Sequence, residues 1–279
     1  MLAVDVSNNR LRYASNTQYL EFSRPPFIRS LPKQVSKRDL SHRYLRSTEA
    51  KEALRIIETL RSAGFVAYMA GGCVRDALLG KRPKDYDVAT NATPDAVRKV
   101  FGRSRTLAFG ASFGVIGVLP TRTHHASKAD TAVQPTEVAT FRSDGSYSDG
   151  RRPDSVHYGD AKHDALRRDF TINGLFYDPN LDEVIDFVGG EKDLGAGVLR
   201  TIGNPLERFG EDKLRMLRAV RFATTLGFDI DASTLRAVIE HADDIEAVSA
   251  ERIGAEMRRV IDAPHAIRGL QHLIACGLH

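Results

Sequence analysis

Apolar positions between residues 47 and 202 recur at two spacings, every three to four residues and every two; from residue 205 only the longer spacing remains. Ala53, Leu54, Ile57 and Leu60 predict a helix over 48–62, capped by Ser47. Phe65 to Ala70 is an apolar strand ended by Gly71-Gly72. Val74 to Leu79 has room for a short helix, stopped by Gly80 and Pro83. Asp85-Tyr86-Asp87-Val88 alternates polar and apolar and predicts a strand. Thr93-Pro94 opens a helix to Phe101, and strands follow at 104–109, 114–119 and 137–142. Residues 143–153, rich in Gly, Ser, Asp and Arg, predict a mobile loop, and 121–135, with His124-His125, a solvated one. A helix over 160–168 precedes a hairpin, 175–177 with 183–187, around Asp178-Pro179-Asn180. Helices then run over 205–226, stopped by Gly227, and over 233–241, 249–261 and 266–276. The class is α+β: a head over 47–200, then an all-α region over 201–279, with the boundary near 195–205.

Composition changes this picture little, and charge changes it at one end. Hydrophobic residues make up 42% and charged residues 27% of the 279. No apolar run approaches the roughly 18 residues of a membrane helix. Two cysteines, Cys73 and Cys276, stand far apart without metal-ligand spacing. That speaks for a reducing compartment, the cytoplasm, and against a disulfide framework or zinc site. The net charge of +4 comes from residues 1–46, which hold nine Lys/Arg against three Asp/Glu; the rest is slightly acidic. Whole-chain charge is therefore no argument for nucleic-acid binding. Residues 1–46 lack periodicity and admit three readings: a basic disordered arm, a targeting segment, or coding sequence ahead of the true start. A disordered or dispensable segment is the favoured one, and the lack of an amphipathic helix argues against targeting.

Candidate chemistry gathers in the first third of the head. Asp85 and Asp87, two apart on a strand, project from one face, just beyond a glycine turn whose backbone N–H groups can meet a phosphate. Two such carboxylates repel unless a cation lies between them, and magnesium, a hard ion that takes carboxylate and phosphate oxygens, suits them. An isolated Asp-x-Asp is more often a solvated strand edge; the Gly-Gly turn and Arg75 upstream reverse that preference. On the 205–226 helix, Asp212 and Arg215 are three apart and share a face. They read either as a surface ion pair or as a reader of bases: a carboxylate accepts from an exocyclic amine while a guanidinium donates to a ring nitrogen, a pattern cytosine and adenine share and uracil and guanine lack. Arg208, Arg215, Arg218 and Arg221 form either a phosphate-contacting stripe on the same helix or a solvated face.

Five segments in order carry a resemblance: GGCVRDALLGKRPKDYDVAT (71–90), EVATFRSDGSYSDGRRPDSV (137–156), RRDFTING (167–174), DFVGGEKDL (186–194) and RFGEDKLRMLRAVRFA (208–223). Together the chain resembles the class II tRNA nucleotidyltransferases, or CCA-adding enzymes, and the bacterial poly(A) polymerases, of the polymerase-β-like nucleotidyltransferase superfamily. The resemblance spans about residues 64 to 260. It implies a head with a short mixed sheet and a helical neck, acting on a tRNA or other RNA 3′ end with CTP and ATP and two magnesium ions. It implies Asp85 and Asp87 as metal-binding catalytic residues, and Glu137 as a third carboxylate that orients the attacking 3′-hydroxyl. Gly71 and Gly72 would cradle the triphosphate with Arg75 nearby, and Arg168, Asp169 and Asn173 would meet the nucleotide's phosphates and ribose. Asp212 and Arg215 match the template for the incoming base, with Arg218 beside them. Residues 143–153 match a mobile segment that helps switch from C to A, and Asp186 to Gly190 a flexible link between head and neck.

Poly(A) polymerase, or an enzyme adding only CC or only A, shares these motifs and stays open, as does a catalytically silent RNA-binding module. The family continues through body and tail helices that grip the tRNA elbow; this chain ends at His279, as expected of a truncated chain or one with a reduced RNA grip. The 1–46 extension and the 121–135 insertion lie outside the pattern. His163-Asp164 has the form of a phosphohydrolase dipeptide, but such sites need further His and Asp ligands that cannot be assigned here.

Overall fold

The computed structural model describes residues 4–5, 10–15, 18–23, 46–110, 113–120 and 134–279. The histidine pair 124–125 and most of the 121–135 insertion lie outside the described residues, as does the part of the 1–46 extension not in strands. Where the sequence predicts no element, β1 (Val4–Asp5), β2 (Arg10–Ser15) and β3 (Gln18–Ser23) form a small antiparallel sheet.

The head begins with α1 (Thr48–Ser62), capped by Ser47, whose hydroxyl accepts from Ala50 N–H. After it come β4 (Ala67–Ala70), α2 (Gly72–Leu78), β5 (Asp87–Thr90), α3 (Pro94–Phe101), β6 (Thr106–Gly110), β7 (Val115–Val118) and β8 (Thr136–Thr140). Then follow β9 (Arg142–Asp144), β10 (Val156–Tyr158), α4 (Ala161–Leu166), β11 (Leu175–Asp178), β12 (Glu183–Asp186) and α5 (Gly190–Ala196). Seven strands form one mixed sheet in the order β12-β11-β4-β5-β8-β7-β6, antiparallel except for β5 beside β8. That parallel pair requires the crossover through α3, β6 and β7.

Alternation sorts the sheet into two faces. On one, α1 packs over β4, β5 and β8, and Ile56, Ile57, Leu60, Met69, Val88 and Val138 are almost fully buried. On the other, Tyr68, Phe141 and Phe176 meet with ring centroids 6.0–6.3 Å apart, around Ala70, Ala89 and Ala165. Burial of such aromatics dominates core energetics, and tilted and edge contacts suit their quadrupoles. α1 buries Ile56 in place of Leu54, one position away from the predicted stripe.

The all-α expectation needs two corrections. β13 (Val198–Leu199) pairs in parallel with β14 (Asp229–Ile230), an element too short to leave a periodic signal. The predicted 205–226 helix is two: α6 (Pro205–Glu211) and α7 (Leu214–Leu226), separated by an extended Asp212 at φ −145° and ψ 106°. Asp212 Oδ1 accepts from Leu214 N–H at 3.1 Å, as a helix-initiating side chain does. α8 (Ala232–Glu240), α9 (Ala250–Ile261) and α10 (Ala266–Cys276) complete the chain. α7 packs against α9 and α10. A Cβ at Gly269 would fall 2.5 Å from Thr224 Oγ1 and 2.7 Å from Val260 Cγ1, so only glycine lets these helices approach so closely.

Contacts divide the chain into two compact units. One holds Pro32–Ser146 with Pro153–Leu194; the other holds Gly195–His279 with Tyr147–Arg152 and Met1–Leu31. Among the described residues no helix is long and apolar enough to cross a membrane. Cys73 and Cys276 are free and buried, and burial pushes both thiols up to about 12.

Candidate active site

The polar ends of the second sheet face bring the head's candidate residues together. β4 pairs with β5 so that Ala70 opposes Asp87, and β5 pairs with β8 so that Val88 lies beside Val138. Asp87 and Glu137, each one residue earlier, therefore project from the same face of neighbouring strands. Asp85 lies just before β5 rather than in it, yet the exposed–buried alternation over Asp85, Tyr86, Asp87 and Val88 continues the strand's period. Asp85, Asp87 and Glu137 are all exposed. The walls around Asp87 strip it of water, and Glu137 and Asp85 repel its charge; together they push its carboxyl up to about 6, against the opposing pull of Arg168. Asp87 is thus exposed to solvent yet ringed by charged groups, Glu137, Asp85 and Arg168.

Beside it, Gly71 takes φ +72°, and a Cβ there would lie 2.8 Å from Arg168 Nη1. Gly71 N–H donates to Leu175 O at 2.9 Å, so the turn does not offer this N–H to a phosphate; its glycine makes room for an arginine instead. Gly72 opens α2, whose Arg75 turns inward. Arg75 Nη1 donates to Asn173 Oδ1 at 2.6 Å and Nε to Asp76 Oδ1 at 2.8 Å. Asn173 Nδ2 in turn donates to Asp169 Oδ1 at 3.0 Å. Arg75, Asp169 and Asn173 are thus buried in one network that joins α2 to the turn before β11. Arg168 donates through Nη1 to Asn173 O at 3.2 Å, and its guanidinium carbon stands 5.0 Å from the Phe176 ring centroid. Sequence reasoning placed these residues in one site without anticipating that Arg75 and Asn173 bond to each other.

Hard oxygens are what the exposed face offers a cation. Among the described residues no three His, Cys, Asp or Glu side chains form a ready-made metal cage. Magnesium is commonly held by one or two carboxylates together with substrate phosphates. The mutual repulsion that raises Asp87 is what a divalent cation would relieve.

Two further head segments carry local hydrogen bonds. Within residues 143–153 the first two belong to β9, which pairs with β10 as the stem of a hairpin; the rest is its loop, where Ser146 and Asp154 meet through two hydrogen bonds of 2.8 and 2.9 Å. Asp186, where a flexible link is implied, accepts from the backbone N–H groups of Val188, Gly189, Gly190 and Glu191 at 2.9–3.0 Å. His163 and Asp164 part company: His163 is exposed and bonds Asp160, while Asp164 is fully buried.

In the helical unit the Asp212–Arg215 pair does not form. Asp212 carboxylate oxygens accept from Arg252 Nη2 of α9 at 3.0 and 3.2 Å. Arg215 pairs with Glu211 and donates to Arg208 O at 3.0 Å, and Arg208 pairs with the same Glu211 oxygen at 2.6 Å. The Arg215 guanidinium carbon lies 5.9 Å from the ring centroid of Tyr147, at the hairpin tip. The arginine series is no solvated stripe: Arg208 and Arg215 are buried, Arg218 stands 5.4 Å from the Phe222 ring, and Arg221 bonds the buried Glu256. Sequence reasoning missed Arg252, Glu211 and Tyr147; the one available signal was Asp212 itself, a residue type that starts helices.

The chain is similar to known proteins over most of its length. The poly A polymerase head domain family matches residues 67–200, and a family described as a probable RNA and SrmB-binding site of polymerase A matches 227–279. The CCA-adding enzyme of Lactiplantibacillus plantarum is 40% identical over 232 residues, covering 83% of this chain and 54% of that protein. That of Geobacillus stearothermophilus is 39% identical over 230 residues, covering 82% and 54%. The crystal structure of the Bacillus stearothermophilus CCA-adding enzyme in complex with CTP matches with a TM-score of 0.72 at 36% identity, over 82% of this chain and 52% of that one. A Thermotoga maritima CCA-adding enzyme complexed with tRNA shares the fold, with a TM-score of 0.69 at 21% identity over 86% and 54%. The chain spans about half the length of the curated relatives it matches. On these grounds the chain belongs to the family of CCA-adding tRNA nucleotidyltransferases and bacterial poly(A) polymerases.

Proposed function

We propose that this chain carries the catalytic head and neck of a template-independent RNA nucleotidyltransferase that adds C and A from CTP and ATP to a tRNA 3′ end and releases pyrophosphate. The observation that supports this reading is that Asp87 and Glu137 share one exposed sheet face, close to the charge of Asp85, beside Arg168 and the Gly71-Gly72 turn. Relatives at about 40% identity named CCA-adding enzyme, one solved with CTP, support the choice of reaction. Asp85 and Asp87 would hold magnesium, two ions in this reading, which when bound neutralises the triphosphate and assists pyrophosphate departure.

Glu137 would accept a hydrogen bond from the RNA 3′-hydroxyl and aim it at the α-phosphate. Arg168 would meet the triphosphate, while Asp169 and Asn173, joined to Arg75, would hold the ribose end of the site rigid. The reaction forms one phosphodiester bond and breaks one phosphoanhydride, with the hydroxyl proton lost to solvent, and no covalent enzyme intermediate is needed. Asp212, Arg215 and Arg218 are the base-reading group of this proposal. Two buried free thiols suit a reducing compartment, and we assign the protein to the cytoplasm.

Incorporation of labelled CTP and ATP, separately and together, into tRNAs lacking one, two or all three terminal nucleotides tests the reading. Addition that stops after CCA is expected. Long A tails on unrelated RNA would replace it with a poly(A) polymerase, and no transfer to any RNA with intact folding would leave a silent RNA-binding module.

A further inference from the structure

We propose that Asp164 is a positioning residue for nucleotide binding: a buried carboxylate that clamps Arg168 in the orientation the triphosphate requires. This inference rests on the reading of Arg168 as a nucleotide-contacting residue.

The geometry is that of a two-sided clamp. Asp164 has no exposed surface. Its Oδ2 accepts from Arg168 Nε at 3.1 Å and Nη2 at 2.8 Å, and its Oδ1 accepts from Arg167 Nε at 2.8 Å and Nη2 at 2.6 Å. Each oxygen thus takes a forked pair from a different guanidinium, an arrangement that fixes both planes. Burial by itself would raise this carboxyl, but Arg168 and Arg167 outweigh it and hold it below the ordinary carboxylate range, so it stays charged. The side of Arg168 that Asp164 does not occupy is turned toward Asn173 and Gly71. There, Nη1 reaches Asn173 O and the space a Gly71 Cβ would take, and its charge is felt by Asp87.

The clamp has a reason to exist. A lone arginine loses rotamer entropy on meeting a phosphate; one already fixed by a carboxylate, a carbonyl and the Phe176 face has lost it during folding. Arg167 extends the network to Asp144 at the hairpin stem, 3.8 Å away, so the stem and the site arginine share one anchor. The His163-Asp164 dipeptide therefore holds no hydrolase chemistry; its aspartate works through Arg168.

The test uses the full chain with magnesium. ATP and CTP binding are titrated calorimetrically, and KM and kcat are measured by incorporation into tRNA, for wild type, Asp164→Asn, Asp164→Glu, Arg168→Gln and the Asp164→Asn/Arg168→Gln pair. Asp164→Asn should weaken nucleotide binding and raise KM by about tenfold, the worth of one charge-assisted contact, with kcat much less affected. The double variant should bind no more weakly than Arg168→Gln alone, which a merely structural role would not produce. If Asp164→Asn fails to fold, Asp164→Glu, which keeps the charge but shifts the fork by one methylene, should raise KM about threefold. A folded Asp164 variant with wild-type nucleotide affinity, or additive losses in the double variant, overturns the proposal. A wild-type chain that binds nucleotide yet extends no RNA defeats the transfer reading alone, and the Asp164 effect is then read from the titrations.

Discussion

The head and the helical unit hold their polar groups on opposite terms. On the sheet face, Asp85, Asp87 and Glu137 are exposed, alike in charge and mutually repelling. In the helical unit the corresponding candidates are satisfied: Asp212 by Arg252, Arg215 by Glu211, Arg221 by Glu256. A site that carries unrelieved charge is waiting for something of opposite sign; a site of paired charges must break an existing pair before it reads a ligand. In the proposed reading, that difference separates chemistry from selection.

Removing one of the repelling carboxylates should have the largest effect. Asp87→Asn should reduce incorporation on the order of 10³-fold, the scale of losing a preorganised electrostatic group. Its melting temperature at pH 8 should equal or exceed wild type. A carboxyl raised to about 6 in the folded state is ionised at a cost above that pH, and asparagine removes the cost. Retained incorporation would end the metal-carboxylate reading; lost activity with a lower melting temperature would make Asp87 a structural residue.

The helical unit also holds a buried titratable group outside these ion pairs, and pH exposes it. His272 on α10 is buried, its Nε2 has no hydrogen-bond partner, and burial, reinforced by Arg268 and opposed by Asp229, lowers it to about 4. Below its ordinary value of 6.5 the unfolded chain binds a proton that the folded chain refuses, so stability is full above pH 6.5 and lost as pH falls toward 4. The loss should reach about 3 kcal/mol. Chemical denaturation across that window should show the slope in wild type and a flatter one in His272→Leu; equal slopes would show that His272 is not the group responsible.

Gly71→Ala probes the boundary between packing and chemistry in the head. With φ at +72° and Arg168 Nη1 2.8 Å from the added Cβ, it should cost about 1–2 kcal/mol of stability and raise the nucleotide KM. A stability loss with unchanged KM would mean that Arg168 moves aside without consequence.

These residues also mark what was legible in the sequence. Asp87 could be placed on a strand because a period of two survives small errors in the strand's ends, and β5 begins two residues after Asp85; that Glu137 stands on the neighbouring strand came from the resemblance and not from the period. The aromatic cluster under Arg168 was not legible, since Tyr68 and Phe176 come from two strands, and Phe141 from the link between β8 and β9, and the sequence does not state the strand order. The period of 3.6 failed at Asp212 for a physical reason. A face can be projected only along an unbroken helix, and a side chain that caps Leu214 N–H competes with the helix it interrupts. Glycine patterning showed the turn but not that Gly71 N–H is already paired with Leu175 O, because that pairing is a tertiary fact.

The last prediction turns on that break. With Asp212 outside both helices, its carboxylate direction is set by Arg252, 40 residues away in sequence, and not by Arg215. If Asp212 reads the base, Asp212→Asn should reduce discrimination for C and A over U and G by about tenfold, the value of one charged hydrogen bond. Arg252→Gln should shift it by a smaller factor, about threefold, by releasing a carboxylate that otherwise exchanges one partner for another. Competition between labelled CTP and UTP on one tRNA measures both. Equal discrimination in wild type and Asp212→Asn removes Asp212 from base reading and leaves it as the hinge between α6 and α7. A larger effect from Arg252→Gln than from Asp212→Asn would move selection to the α9 arginine itself.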